Sequence, residues 1–173
     1  MHKQLGSLDA FVFTEQAQRL SSQCSVTLFK RALKGLPEQP EGQQFDWALW
    51  GEVDSAGRHF LHVRLTGDVY LECQRCLETF AYPVQVDNTV QLVEDENEIE
   101  LDEDDPEAIE RILASRSFDG FDFLEDELIL SLPYVAKHDQ CPSMPKELTQ
   151  DTQAEPSGKK ENPFKVLKQL KKD

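Results

Sequence analysis

The sequence predicts an α+β fold, in which an antiparallel β-meander packs against one or two helices and a flexible C-terminal tail ends in a short helix. Three observations lead to this fold class. Apolar and polar residues alternate between about 44 and 93, apolar residues recur at helical spacing over about 119–132, and residues 141–161 are polar without a sustained period. The 173 residues suit one core. We therefore expect a single domain over 1–141, followed by a linker and a basic amphipathic tail over 142–173.

The first predicted element is a helix near the N-terminus, because apolar residues recur there at loose helical spacing and Asp9 can cap the first turn. The apolar residues are Ala10, Phe11, Phe13, Ala17 and Leu20. The next segment, CSVTLFKRALKGL, starts with the alternation of a strand and continues with the spacing of a helix, so both structures remain open for it. Gly35 and Pro37 end whichever element forms.

Four strands are predicted for the meander, each with apolar residues alternating against polar neighbours. They start near Phe45, Leu61, Asp68 and Tyr82. The turn-forming residues DSAG at 54–57 separate the first two strands, and TGD at 66–68 separates the second from the third. Short connections favour antiparallel neighbours. The segment LECQRCLETF joins the last two strands, which predicts that Cys73 and Cys76 lie at or near a hairpin tip.

The charge is strongly acidic, with 33 acidic against 18 basic side chains and a formal net charge of -15. A chain of this charge repels phosphate, so its composition does not indicate a nucleic-acid partner. Residues 94–110 hold eleven carboxylates and no basic side chain, and we predict an acidic loop over 94–107. Three interpretations stay open for this run: a solvated, self-repelling loop, a docking surface for a basic protein partner, or a shield against misplaced RNA.

A second helix is predicted over about 119–132, where apolar residues recur at helical spacing along one face. The stripe consists of Phe121, Leu124, Leu128 and Leu132, and the carboxylates of Asp122, Glu125, Asp126 and Glu127 lie mostly off it. Asp119 or Asp122 can cap the helix, and Pro133 ends it. The stripe is typical of packing on one face of the sheet. The preceding segment AIERILA suits a strand or a short helix.

The last residues, ENPFKVLKQLKKD, form a basic amphipathic segment. Asn162 can cap it and Pro163 can take the first helical position. Its candidate binding residues are Lys159, Lys160, Phe164, Lys165, Lys168, Lys171 and Lys172, and Leu167 and Leu170 extend the apolar ridge. An isolated helix this short is marginal in water, so we expect it to order only on its own domain, on RNA or on a partner.

The two cysteines of the predicted tip, Cys73 and Cys76, have the spacing at which a turn directs two thiolates at one zinc ion. His138 and Cys141 follow the second helix with the same spacing and would complete a site with three cysteines and one histidine if the helix packs on the meander. We therefore expect either no cofactor or, where all four residues converge, zinc. A redox pair and a metal-free turn with reduced thiols remain alternatives, although a redox pair normally precedes a helix in a βαβ unit.

Between the cysteines lies Arg75, which can bind phosphate or pair with a carboxylate at the protein surface. We find no phosphate-binding glycine loop, no zinc-protease motif and no defensible arrangement of a nucleophile with one of the four histidines. An enzyme is therefore not indicated. The first residues lack a secretory leader and no window approaches the roughly 20 apolar residues of a membrane span, so we expect an intracellular protein.

Four segments, taken in order and spacing, resemble one bacterial family. LECQRCLETF, FLEDELILSLP, HDQC and NPFKVLKQLK are similar to segments of the large ribosomal RNA subunit accumulation proteins, also called the YceD family. The resemblance covers roughly 45–173. Some relatives carry further cysteines after the Leu-Pro, which would complete a zinc site, whereas this chain has His138 and Cys141 in that region. The resemblance also implies a second proline after Pro133, but this chain reads LPYVAKH there.

The resemblance implies a cytoplasmic, non-enzymatic factor in the synthesis, processing or stability of large-subunit ribosomal RNA, and hence in ribosome biogenesis. Its implied partners are large-subunit ribosomal RNA, a basic ribosomal protein, or both, with no role for DNA or membranes. The acidic charge favours the protein as the main partner. The alternative is an acidic interaction module for another basic partner without any ribosomal RNA role, and a metal- or thiol-dependent enzyme is a more distant one.

Overall fold

A mixed sheet with five strands forms the centre of the protein, which we describe from a computed structural model over residues 5–99 and 109–142. The strands follow one another in the sheet in chain order, as β1 (Arg19–Ser25), β2 (Gln44–Val53), β3 (His59–Glu72), β4 (Thr79–Val93) and β5 (Arg111–Leu113). The first four are antiparallel neighbours, and β5 runs parallel to β4. The α-helices with bounds inside the described residues are α1 (Ala10–Glu15) and α2 (Gly120–Ser131). The predicted α+β class is confirmed.

Chain contacts divide the protein into two units, residues 1–138 and 139–173. The five strands and both helices belong to the first unit. Of the second unit, residues 139–142 are described, so the predicted linker and basic tail lie outside the described residues. In the described part of the chain, no helix is long and apolar enough to cross a membrane.

The β3–β4 hairpin is the longest feature of the sheet, with a register that runs from the pair His59 and Leu92 to the pair Glu72 and Thr79. The predicted second and third strands are one continuous strand, and the turn predicted at 66–68 is wrong. Gly67 is needed there for a different reason. A Cβ atom at Gly67 would lie 2.5 Å from Cδ1 of Phe45, so the neighbouring strand leaves no space for a side chain.

The predicted N-terminal helix is correct only in its first half. Asp9 caps α1 as predicted, accepting a hydrogen bond from the Val12 amide at 3.2 Å. The helix ends at Glu15, and Ala17 adopts a positive φ of 46°. The chain then enters β1, so Leu20 belongs to a strand paired with Leu49. The undecided segment that begins at residue 24 ends β1 and continues as a 3-10 helix, Val26–Leu28.

Helix α2 packs one apolar face on the sheet, where Leu124 and Leu128 are fully buried. Asp119 is its N-cap and accepts hydrogen bonds from the amides of Phe121 and Asp122. The prediction that its carboxylates lie off the buried face is wrong for two of them, because Glu125 and Glu127 are only 4% and 7% exposed. A buried carboxylate is costly unless it is hydrogen-bonded, and donors from distant segments of the chain meet both of these.

The segment that follows the acidic run forms β5, so the strand is the correct one of the two predicted structures for it. Of the run itself, residues 96–98 form a short 3-10 helix capped by Asp95, and residues 100–108 lie outside the described residues. The backbone amide of Gln91 donates to the carbonyl of Glu110 at 2.8 Å, which fixes the entry to β5 beside β4. Residues 114–119 then connect β5 to α2.

Candidate metal centre

The tip of the β3–β4 hairpin is a tight turn that contains both cysteines of the Cys-x-x-Cys segment. The Cys73 amide donates to the Glu78 carbonyl at 2.9 Å, and the Leu77 amide donates to the Cys73 carbonyl at 2.8 Å. Leu77 adopts the left-handed conformation, with a φ of 63°. The predicted location of the cysteine pair at a hairpin tip is therefore confirmed. The turn brings the two thiols within 4.8 Å of each other, and the described cysteines form no disulfide bond.

The chain that leaves α2 lies along this tip. The Gln74 amide donates to the Ala136 carbonyl at 2.9 Å, and the guanidinium of Arg75 donates to the His138 carbonyl at 3.0 Å. The imidazole of His138 lies against the ring of Phe80, with 4.5 Å between the ring centroids. These contacts bring His138 to the cysteines although 62 residues separate it from Cys76 along the chain.

Four potential ligands converge at this point, namely Cys73, Cys76, His138 and Cys141. Their sulfur and nitrogen atoms all lie within 4.8 Å of one another. Sγ of Cys76 and Nδ1 of His138 are 3.4 Å apart. In a tetrahedral zinc site with Zn–S bonds of about 2.3 Å, neighbouring ligand atoms are separated by about 3.8 Å. The group therefore fits a tetrahedral ion after shifts of about an ångström or less, and its donors are those that zinc prefers.

The electrostatics at the tip favour a thiolate at Cys73, which is fully buried. Burial alone would oppose ionisation of this thiol. Amide groups of Cys76, His138 and Arg75 donate towards its sulfur, and together with the His138 side chain they outweigh burial and lower the pKa of Cys73 to about 5. A thiolate is the form that binds a metal ion, so one ligand is ready to coordinate at neutral pH.

The remaining cysteine, Cys24, lies outside the tip and has a raised pKa. It lies in the core on β1, 3% exposed, and burial raises the pKa of its thiol to about 11. Cys24 is therefore a packing residue that stays protonated. The low pKa at the hairpin tip therefore comes from the local amide groups and the His138 side chain, because the net negative charge of the protein would by itself raise the pKa of a thiol.

The predicted binding residues have different outcomes. Arg75 lies at the tip, where its guanidinium supports the segment that carries His138. Lys159, Lys160, Phe164, Lys165, Lys168, Lys171 and Lys172 lie outside the described residues. Sequence reasoning missed Phe80, which packs on the His138 ring, and Leu77, whose left-handed backbone closes the turn. The sequence carries no signal for the Phe80 contact, since a position just after the Cys-x-x-Cys segment does not say which residue the ring meets.

The fold and this site define a small α+β protein whose longest hairpin carries a candidate structural metal centre. The chain belongs to the YceD family, because a family model described as "Large ribosomal RNA subunit accumulation protein YceD" matches residues 61–171. A protein of Haemophilus influenzae with that same name is 36% identical over 108 residues, which is 60% of this chain and 60% of the relative. No solved structure matches the chain.

Proposed function

We propose that this protein is a non-enzymatic, cytoplasmic factor that supports the synthesis, processing or stability of large-subunit ribosomal RNA. The observation that carries the proposal is the family match over residues 61–171, which includes the hairpin tip, α2 and the segment with His138. The name of the Haemophilus influenzae relative points in the same direction. A small fold with a candidate structural metal centre suits a factor that acts by association.

The tip is proposed to hold zinc through Cys73, Cys76, His138 and Cys141. Three thiolates and one imidazole would complete a tetrahedral site and leave no position for a water molecule or a substrate. Such a closed site stabilises a fold, whereas catalytic zinc keeps one open position. The zinc would fasten the segment after α2 to the β3–β4 hairpin, and this assignment supports a role without catalysis.

The main partner is proposed to be a basic protein of the large subunit, with contact to RNA secondary. The formal net charge of -15 opposes a close approach of RNA and favours a cationic protein. The basic groups proposed for RNA contact are Arg75 and the lysines of the C-terminal segment. A pull-down over a salt series tests whether the protein is the main partner and RNA the secondary one. Retention of naked ribosomal RNA at physiological salt, with no ribosomal protein present, would contradict this ranking.

Depletion of the protein from its host tests the proposed role directly. We expect the amount of mature large-subunit RNA to fall relative to small-subunit RNA, and the wild-type protein to restore it. The double variant Cys73→Ser, Cys76→Ser should restore it poorly, whereas Cys24→Ala serves as the control for loss of a thiol outside the tip. An unchanged RNA ratio after depletion would favour the alternative, an acidic interaction module for another basic partner.

A further inference from the structure

A groove of about 620 Å³ lies between α2 and the chain segment from Glu110 to Phe118, away from the hairpin tip. Several of its apolar side chains are unusually exposed: Leu130 to 74%, Leu113 to 45% and Ile129 to 39%. Ile112, Phe123 and Val90 line it further inside. Exposed leucine and isoleucine side chains around one depression are typical of a surface that another molecule covers.

The polar lining of the groove is acidic. Five carboxylate residues line it, and among the described lining residues there is no lysine, arginine or histidine. These are Glu110, Asp119, Asp122, Asp126 and Glu127. Asp122 and Asp126 share the guanidinium of Arg31, at 3.7 and 2.7 Å, whereas Glu110 is exposed and has no ion pair within the described residues. The groove therefore offers apolar contact together with unneutralised negative charge.

The carboxylates crowd one another at the inner edge of the groove. Burial raises the pKa of Glu127, two hydrogen bonds from Asn88 oppose that rise, and the charges of Glu110 and Asp126 add to it. A cation placed near these three carboxylates would relieve their repulsion. RNA would add further negative charge, so a nucleic acid is the wrong occupant for this surface.

We propose that the groove binds an amphipathic helix of a basic protein partner. The apolar side chains of that helix, spaced at one helical face, would cover Leu113, Ile129 and Leu130, and its lysine or arginine side chains would meet Glu110 and the neighbouring carboxylates. The inference rests on the proposed function for the identity of the partner as a large-subunit protein. The chemistry of the groove alone requires only that the helix be cationic and apolar on one face.

The test uses the full chain and three labelled synthetic peptides at physiological salt. The first peptide is a cationic amphipathic helix of about five turns with leucines along one face, the second has the same composition in scrambled order, and the third carries glutamate in place of lysine. We expect the first to bind at least about tenfold more tightly than the scrambled peptide, because only the first presents a continuous apolar face. The third should not bind measurably.

Variants of the chain locate the binding. Leu113→Ser with Leu130→Ser should weaken binding of the first peptide about tenfold, since it removes apolar contact area from the groove. Val12→Ser with Val53→Ser is the matched control, because Val12 and Val53 are 40% and 39% exposed but lie elsewhere, and it should leave the affinity unchanged. Far-ultraviolet circular dichroism is the control that checks whether both double variants remain folded.

Three results would overturn the proposal. Equal binding of the amphipathic and the scrambled peptide would show attraction by net charge without a groove. Equal weakening by the groove and the control variants would place the contact elsewhere. Tighter peptide binding by the full chain after Phe164→Ser would identify the basic end of this chain as the occupant. The assay involves no ribosomal RNA, so it can succeed where the depletion experiment fails, and the two failures remain distinct.

Discussion

Replacing Glu125 with alanine should remove one of the strongest links between α2 and the rest of the domain. The carboxylate of Glu125 accepts hydrogen bonds from the Arg31 amide at 2.6 Å, from Nε of Arg31 at 2.8 Å and from the Ala32 amide at 3.3 Å. Its side chain is 5% exposed, whereas the Arg31 side chain is 49% exposed. The link is therefore a buried acceptor for a half-exposed cation and two backbone amides.

The magnitude follows from these three contacts. A buried donor left without a partner costs about 1–3 kcal/mol, and breaking a fully buried ion pair costs about 3–5 kcal/mol. The exposed part of Arg31 keeps its contact with water and with Asp126, so the ion-pair figure applies only in part. We therefore expect Glu125→Ala to lower the free energy of unfolding by about 2–4 kcal/mol.

Urea unfolding followed by the fluorescence of Trp47 and Trp50 measures this change. The matched control is Asp126→Ala, which removes an ion pair between side chains that are 49% and 56% exposed. Such a pair contributes about 0–1 kcal/mol. A loss for Glu125→Ala no larger than that for Asp126→Ala would refute the reasoning that burial of the carboxylate makes this contact strong.

Three further predictions concern the core and its pH dependence. Burial raises the pKa of Glu127 in the folded protein, so the wild-type protein should lose stability relative to Glu127→Gln as the pH rises from about 4.5 to neutral. The difference in free energy of unfolding between the two proteins should vanish in acid, and a pH series of urea unfolding measures it. Gly67→Ala should cost about 1–3 kcal/mol in the same assay, because its Cβ would lie 2.5 Å from Phe45. Leu128→Ala should cost about 2–5 kcal/mol and Leu130→Ala less than about 0.5 kcal/mol, since the first is fully buried and the second is 74% exposed.

The local sequence was sufficient to predict the helix α2, with Asp119 as one of two candidate caps, and the meander, because each depends on residues close together in the chain. It failed at Gly67, where the residues Thr-Gly-Asp have the composition of a turn. The glycine is present there because Phe45 of the neighbouring strand leaves no space for a side chain. A contact between strands decided this position, and such a contact cannot be read from a window of sequence.

Contacts between distant residues also decide which charged side chains are buried. Glu125 looks like a solvent-facing residue in the sequence, but it is buried because Arg31, 94 residues away, brings the backbone amides that satisfy it. The site was more predictable, since Cys73 and Cys76 share a spacing with His138 and Cys141 that is typical of metal ligands. The packing of Phe80 on His138 was not predictable, because an aromatic residue beside a hairpin tip has many possible neighbours.

Metal analysis of the untagged protein, combined with X-ray absorption at the zinc edge, tests the central claim most directly. The claim is that one metal ion joins the β3–β4 hairpin tip to the segment after α2. We expect one zinc per chain, with three sulfur ligands at about 2.3 Å and one nitrogen ligand at about 2.0 Å. Protein without bound metal, in which the thiols of Cys73, Cys76 and Cys141 react fully before any chelator is added, would contradict it.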